Sequence, residues 1–150
     1  MDMIGVGGHW KRDILIGLIA GFIFILANVF TGISIGLPSL PAQVVGKYGI
    51  VSVLAPVFEE VGFRSVLLFL TAGFGTLALY AINIVTFSLF HYVAYGASLA
   101  AMSANFIGAG LFAAFAVWVT LRYKSILPAI ICHALFNSWL LTKYFLAVAI

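Results

Sequence analysis

Six residues with ionisable or amide side chains stand out within the apolar stretches of this chain. They are Glu59, Glu60 and Arg64 in one stretch, His91 in the next long one, and His133 and Asn137 in the last. An ionisable side chain at the centre of a membrane helix costs about 2.5–3.5 kcal/mol on insertion scales, and such residues mark functional sites by default. We therefore expect these side chains to face protein or a wet cavity.

The spacing within the first stretch separates the two acids by role. Glu60 and Arg64 are four residues apart with the acid first, which is the favoured order for an ion pair on one helix face. Glu59 projects about 100° away from Glu60. The spacing predicts that Arg64 neutralises Glu60 while Glu59 stays available for chemistry.

The same four-residue spacing recurs in two later stretches. Phe87 and His91 share one helix face, with Asn83 one turn earlier on that face. His133 and Asn137 also share a face. A histidine and an amide on one face of a membrane helix fit a functional role and simple packing about equally well.

A glutamate, two histidines and an asparagine suit two chemistries. In the first, a glutamate and a histidine activate water, and a histidine and an asparagine hold the developing oxyanion. In the second, Glu59, His91 and His133 bind zinc, which is a known catalytic ligand set. The helical HExxH signature of many zinc proteases is absent from the sequence.

The composition defines the elements that must carry these residues. The chain has 150 residues, of which 65% are hydrophobic and 7% are charged, whereas a soluble domain carries about 25% charged residues. This excludes a water-soluble globule, a disordered tail and a nucleic-acid-binding protein. Because a spanning helix needs roughly 20 apolar residues, the sequence predicts an all-α fold, a polytopic membrane helix bundle of about five transmembrane helices.

The predicted organisation is a single membrane domain over residues 1–150. A tail, 1–13, precedes an extra N-terminal helix, 14–30, for which Asp13 is the expected N-cap. Gly17 and Gly21 form a pair of small residues suited to close helix packing. The later spans are predicted at about 50–70, 77–95, 105–121 and from 126 to the end, with a long loop at 31–49 and a short loop at 96–104.

The basic residues predict the orientation of the bundle. With five spans, Lys11, Arg12, Arg122 and Lys124 fall on one side, and Lys47 and Lys143 fall on the other. Excess basic residues mark cytoplasmic loops. The N-terminus is therefore predicted to be cytoplasmic.

The depths of the polar residues predict that they meet. At about 1.5 Å of rise per residue, Glu59, His91 and Asn137 fall near the same level of a membrane core about 30 Å thick. His133 falls about 6 Å deeper toward the cytoplasm. We expect these four residues to share one intramembrane cavity.

Three motifs in this order, each on its own span, resemble those of the CPBP family. They are EExxxR at residues 59–64, FxxxH at 87–91 and HxxxN at 133–137. The family comprises type II CAAX prenyl endopeptidases and bacteriocin-processing or immunity proteins, also called Abi. The resemblance covers roughly residues 48–140.

The resemblance implies roles for these residues. Glu59 would be the catalytic glutamate, working with His91 to activate water, and His133 and Asn137 would orient water or stabilise the oxyanion. Structural support would come from Glu60, Arg64 and Phe87. The family is regarded as glutamate proteases, so no cofactor is implied, and zinc is the alternative.

The implied function is an intramembrane endopeptidase of a prokaryotic cytoplasmic membrane. Its partners would be the lipid bilayer and a peptide or protein substrate, with or without a lipid, and no nucleic acid. One helix precedes the motif-bearing core, so either the core suffices for a small substrate or partner helices of a homo- or hetero-oligomer complete the cavity. Ser65 follows Arg64, where family members commonly have glycine.

A non-proteolytic CPBP-fold subunit of a larger membrane complex is the alternative function. Aromatic residues make up 15% of the chain, and residues 145–150 are still apolar. Such a composition suits dense packing against neighbouring helices. Against this alternative, a scaffold has no need for buried charges in the membrane.

Overall fold

The computed structural model of the protein describes residues 8–31, 49, 53–94 and 99–148. These residues form five helices, and no β-strand occurs among them. The helices are α1 (Trp10–Thr31), α2 (53–71), α3 (Thr76–Ala94), α4 (Leu99–Tyr123) and α5 (Leu127–Val148). The predicted all-α bundle is confirmed.

The bundle has a polar interior and an apolar exterior. Fully buried side chains include those of Glu60, Arg64 and Asn83, whereas Phe30 and Leu77 are 84% and 85% exposed. Soluble proteins almost never bury charged residues fully without pairing them, and contiguous exposed apolar surface marks a contact with a partner or a membrane. This distribution fits a helix bundle with lipid as its surrounding solvent.

Two helices in the described part of the chain are long and apolar enough to cross a membrane. They are Trp10–Thr31 and the segment Phe106–Tyr123 of α4. The segment Thr76–His91 of α3 is a shorter apolar helix. The polar motif residues lie on α2, α3 and α5.

Helix α1 packs closely along α5 through two glycines. A Cβ atom on Gly17 would lie 2.7 Å from Ile131 Cβ, and one on Gly21 would lie 2.8 Å from Leu135 Cδ2. Such small residues allow helix backbones to approach, as the sequence predicts. Gly17 lies against Ile131, and Gly21 lies against Leu135, so residue numbers rise in the same direction along the contact and α1 and α5 run parallel.

Helix α2 changes its winding immediately after the two acids. Residues 53–60 are α-helical, Val61–Leu67 form a π-helix, and Leu68–Thr71 return to α-helical winding. π-helical segments are rare and occur frequently at functional sites. The helix ends in the 3-10 turn Ala72–Phe74 and at Gly75, whose φ of 86° is readily adopted by glycine.

Two predicted helix starts differ from the structure. Helix α1 begins at Trp10 rather than residue 14, so Asp13 lies in the first turn instead of at the N-cap, and its N–H donates to the His9 carbonyl. Helix α4 begins at Leu99, within the predicted loop at 96–104, because residues 99–104 are rich in alanine and contain no proline. The predicted loop at 31–49 lies outside the described residues except at its two ends, as do residues 1–7 of the tail.

An aromatic core between α3, α4 and α5 supports the polar interior. Phe87, Phe112 and Phe136 are buried in it, and the Phe87 and Phe112 ring centroids lie 5.7 Å apart. Phe87 lies 4.3 Å from the His91 ring centroid, and Phe112 lies 4.7 Å from that of His133. Both histidine rings are therefore held by packing as well as by hydrogen bonds.

Candidate active site

Glu59 lies where three helices meet. Its Oε2 atom is 3.6 Å from His91 Nε2 on α3 and 3.9 Å from His133 Nε2 on α5. The Glu59 side chain is 12% exposed, whereas both histidines are buried. The structure thus brings together three residues that are widely separated in sequence, with the glutamate as the most accessible of them.

Glu60 is wholly buried and has two partners, one on its own helix and one on α5. Its Oε2 atom forms an ion pair with Arg64 Nε at 3.1 Å, which is the predicted pair on one helix face. Its Oε1 atom accepts a hydrogen bond from His133 Nδ1 at 3.0 Å. This second contact was not predicted from the sequence, because the spacing of residues along one helix does not show which residue of another helix lies opposite.

Arg64 connects α2 to α3. Its Nη1 donates to Asn83 Oδ1 at 3.1 Å, and its guanidinium carbon lies 4.5 Å from the centroid of the Phe87 ring. A cation over an aromatic face is stabilised by the ring quadrupole, more so when desolvated. Phe87 therefore supports the charge of Arg64, and Asn83 fixes the direction of its guanidinium group.

The hydrogen bonds at the two Nδ1 atoms define the histidine tautomers. His91 Nδ1 lies 3.0 Å from the carbonyl oxygen of Phe87. A carbonyl can only accept, so this nitrogen carries the proton, and the same argument applies to His133 Nδ1 opposite the ionised Glu60. When a ring is neutral, its Nε2 atom is therefore a hydrogen-bond acceptor. The Nε2 atoms of both histidines are directed toward Glu59.

Three acceptor atoms thus converge on one small space. The distances of 3.6 and 3.9 Å exceed direct hydrogen-bond lengths, and a contact of that length suits a bridging water. One potential ligand atom from each of Glu59, His91 and His133 lies within 4.8 Å of the other two. The arrangement can bind a species that donates protons, such as water, or a metal cation.

Two buried asparagines lie on the helices that carry the two histidines. Asn137 is buried one turn beyond His133 on the same face of α5. Asn83 is wholly buried and contacts the charge network, although the sequence analysis gave it no site role. Its position one turn before Phe87 was the signal that could have identified it.

Comparison with known proteins identifies a family for most of the chain. A model of the family described as type II CAAX prenyl endopeptidase Rce1-like matches residues 41–139. No curated protein and no solved structure matches the chain significantly. The matched range contains all three motifs and every residue of the site contacts described above.

Proposed function

The chain belongs to the type II CAAX prenyl endopeptidase Rce1-like family, and we propose that it is an intramembrane endopeptidase in which Glu59 and His91 activate water. The observation that carries the proposal is the position of the Glu59 carboxylate, which faces an acceptor nitrogen on each of two buried histidines. Such a space is built to bind and polarise a water molecule.

In the proposed reaction, a water held by Glu59 and His91 attacks the carbonyl carbon of a peptide bond. Glu59 accepts a proton from the water as the carbon–oxygen bond forms. The proton then passes to the peptide nitrogen as the carbon–nitrogen bond breaks. The products are a carboxylic acid and an amine, and transfer of the carboxyl proton to the amine leaves a carboxylate and an ammonium group.

The residues on α5 serve the same reaction. His133, through its acceptor Nε2, orients the water, and the side-chain amide of Asn137 donates a hydrogen bond to the oxyanion. Glu60 maintains the His133 tautomer by accepting from Nδ1. Glu60 is held by its ion pair with Arg64, and Arg64 is held by Asn83 and Phe87. These buried contacts pre-organise the groups that face the substrate.

The proposed substrate is a peptide that reaches the site from within or beside the membrane. The exterior of the bundle is apolar, and Glu59 is partly accessible, so a membrane-associated chain can approach it. The family description points to a peptide with a prenylated cysteine in a C-terminal CAAX sequence. The proposed location is a prokaryotic cytoplasmic membrane with the N-terminus on the cytoplasmic side, which the basic residues Lys11, Arg12, Arg122 and Lys124 support.

The experiment compares a farnesylated CAAX peptide with the same peptide lacking the lipid. Purified protein in detergent is incubated with each peptide, and the products are identified by mass spectrometry. We expect cleavage that depends on His91, so that His91→Ala is inactive while remaining folded. Absence of cleavage of either peptide by the wild-type protein would argue against the proposal.

Zinc-dependent hydrolysis at the same atoms is a second candidate. Two imidazole acceptors and a carboxylate form a His₂Glu set, and ligand atoms around a tetrahedral zinc ion lie about 3.4 Å apart, close to the 3.6 and 3.9 Å seen here. Zinc bound by Glu59, His91 and His133 would supply Lewis acidity toward water. Full activity after treatment with a strong chelator supports the metal-free reaction. Loss of activity that zinc alone restores supports this second candidate.

A further inference from the structure

Four exposed cations gather at the end of the bundle where α1 and α5 begin. The two helices run parallel, and only three residues separate the end of α4 from the start of α5. The starts of α1 and α5 and the end of α4 therefore lie together. The guanidinium carbon of Arg12 is 4.9 Å from the Tyr123 ring centroid, which joins the first turn of α1 to the end of α4. The exposed cations are Lys11, Arg12, Arg122 and Lys124.

Among the described residues of this end, the acidic residue does not reach the surface. Asp13 is wholly buried, and its Oδ1 atom accepts from Arg12 Nε at 2.9 Å and from Arg12 Nη2 at 2.7 Å. These two bonds hold the guanidinium group in one orientation and do not use Nη1. The Arg12 side chain is still 43% exposed, so the surface itself carries positive charge.

Tyr123 organises two of these cations. Its ring centroid lies 4.9 Å from the guanidinium carbon of Arg12 and 5.7 Å from that of Arg122. Stacking on an aromatic ring restricts a guanidinium group, and a restricted guanidinium binds phosphate oxygens with little further loss of freedom. We propose that Arg12, Arg122 and Lys124, arranged around Tyr123, bind the phosphate of an anionic phospholipid headgroup.

The surroundings favour a lipid over a soluble phosphate. Trp10 and Trp118 flank the cations and are about half exposed, and the Trp118 and Tyr123 ring centroids lie 6.3 Å apart. Tryptophan and tyrosine are enriched at the level of the headgroups. On the next turns of α1, Leu15 and Ile19 are exposed. The headgroup of an anionic phospholipid would contact the cations, and its acyl chains would contact the apolar surface of α1 beside them.

The test measures the thermal stability of the full-length protein in a non-ionic detergent during titration with lipid. The probes are phosphatidylglycerol, phosphatidylcholine with the same acyl chains, and inorganic phosphate. The variant is Arg122→Gln with Lys124→Gln, which removes two cations and leaves the Arg12–Asp13 pair intact. Lys143→Gln, near the other end of α5, is the matched control for loss of a surface cation.

We expect phosphatidylglycerol to raise the melting temperature more than phosphatidylcholine does. The double variant should need about 30-fold more phosphatidylglycerol for the same effect, whereas Lys143→Gln should need the same amount of lipid as the wild type. If the double variant cannot be purified, Arg122→Gln alone should need about fivefold more. Equal responses to the two lipids, or an unchanged response of the variant, would overturn the proposal. Stabilisation by inorganic phosphate at matched concentration would assign the site to a soluble anion instead.

Discussion

Arg64 illustrates how single residues make a charged interior stable. Its side chain is wholly buried, yet it has a carboxylate partner in Glu60, an amide acceptor in Asn83 and an aromatic face in Phe87. A buried charge is tolerated only when it is paired and hydrogen-bonded. The four residues are therefore a unit, and the loss of one leaves the others in an unfavourable environment.

We predict that Arg64→Leu destabilises the protein by about 3–5 kcal/mol, because it leaves the buried Glu60 carboxylate without its cation. The control is Arg122→Leu, the same substitution at an exposed arginine of α4, which should change stability by about 0.5 kcal/mol or less. Denaturation in detergent micelles and the yield of folded protein measure the difference. Equal stability of the two variants would contradict the structural role of Arg64.

Asn83 gives a prediction that separates stability from activity. Asn83→Leu removes the acceptor for Arg64 Nη1 and should cost about 1–3 kcal/mol. Asn28→Leu is the matched control, because Asn28 is also buried and accepts from Trp139 Nε1 and Lys143 Nζ at 3.3 Å, away from the site. Both variants should melt earlier, whereas only Asn83→Leu should lower the rate of peptide hydrolysis when measured on folded protein. Equal rates for the two variants would show that Asn83 does not position the site.

At the scale of helices, α1 packs against α5, which carries two residues of the candidate site. Helix α5 carries His133 and Asn137, and α1 packs along it through Gly17 and Gly21. This contact therefore stabilises the helix that carries two of the site residues, and it involves neither of them.

We predict that Gly17→Ala destabilises the bundle by roughly 1–3 kcal/mol, because its Cβ would meet Ile131 Cβ at 2.7 Å and the Pro128 carbonyl oxygen at 2.8 Å. Gly73→Ala is the matched control, since a Cβ at that position has no neighbour within 4 Å. Thermal unfolding compares the two variants. A Gly17→Ala protein as stable as Gly73→Ala would mean that α1 can move away from α5 at no cost.

The helices were predictable from sequence to different degrees. Long apolar stretches separated by glycine or basic turns predict five helices, and all five are present. The early start of α4 at Leu99 was not predicted, because small residues without charge suit a helix as well as a loop. The π-helix Val61–Leu67 was not predicted either, since its winding depends on packing against other helices and not on residue type.

The same limit applies to the site. Depth along the spans predicts that Glu59, His91 and His133 meet, and the Nε2 atoms of the two histidines lie 3.6 and 3.9 Å from the Glu59 carboxylate. Depth places His133 about one turn away from this level, but side-chain reach closes that gap. The hydrogen bond from His133 to Glu60 could not be predicted, because it depends on how α5 is rotated about its own axis. The spacing of residues within one helix carries no information on that rotation.

At the scale of the whole molecule, the apolar exterior has two interpretations. It can contact lipid around an enzyme, or it can contact partner helices in a complex where the chain acts as a non-proteolytic subunit. Among the described side chains, exposed apolar residues occur on all five helices. A surface of this kind all around the bundle fits lipid better than it fits one partner.

We predict that gentle detergent extraction yields a particle containing this chain alone that hydrolyses the peptide. Size-exclusion chromatography with light scattering, followed by the activity assay on each fraction, measures this. Activity that appears only when other membrane proteins co-migrate would favour the larger complex.

The central claim is that the Glu59 carboxylate activates water, and its most direct test is the rate of peptide hydrolysis by Glu59→Gln. The substitution keeps the size of the side chain and removes its basicity, so the account predicts a loss of about 100-fold or more in a protein that is folded as well as wild type. Glu59→Asp, which keeps a carboxylate, should retain more activity than Glu59→Gln. Hydrolysis by folded Glu59→Gln at the wild-type rate would contradict the account.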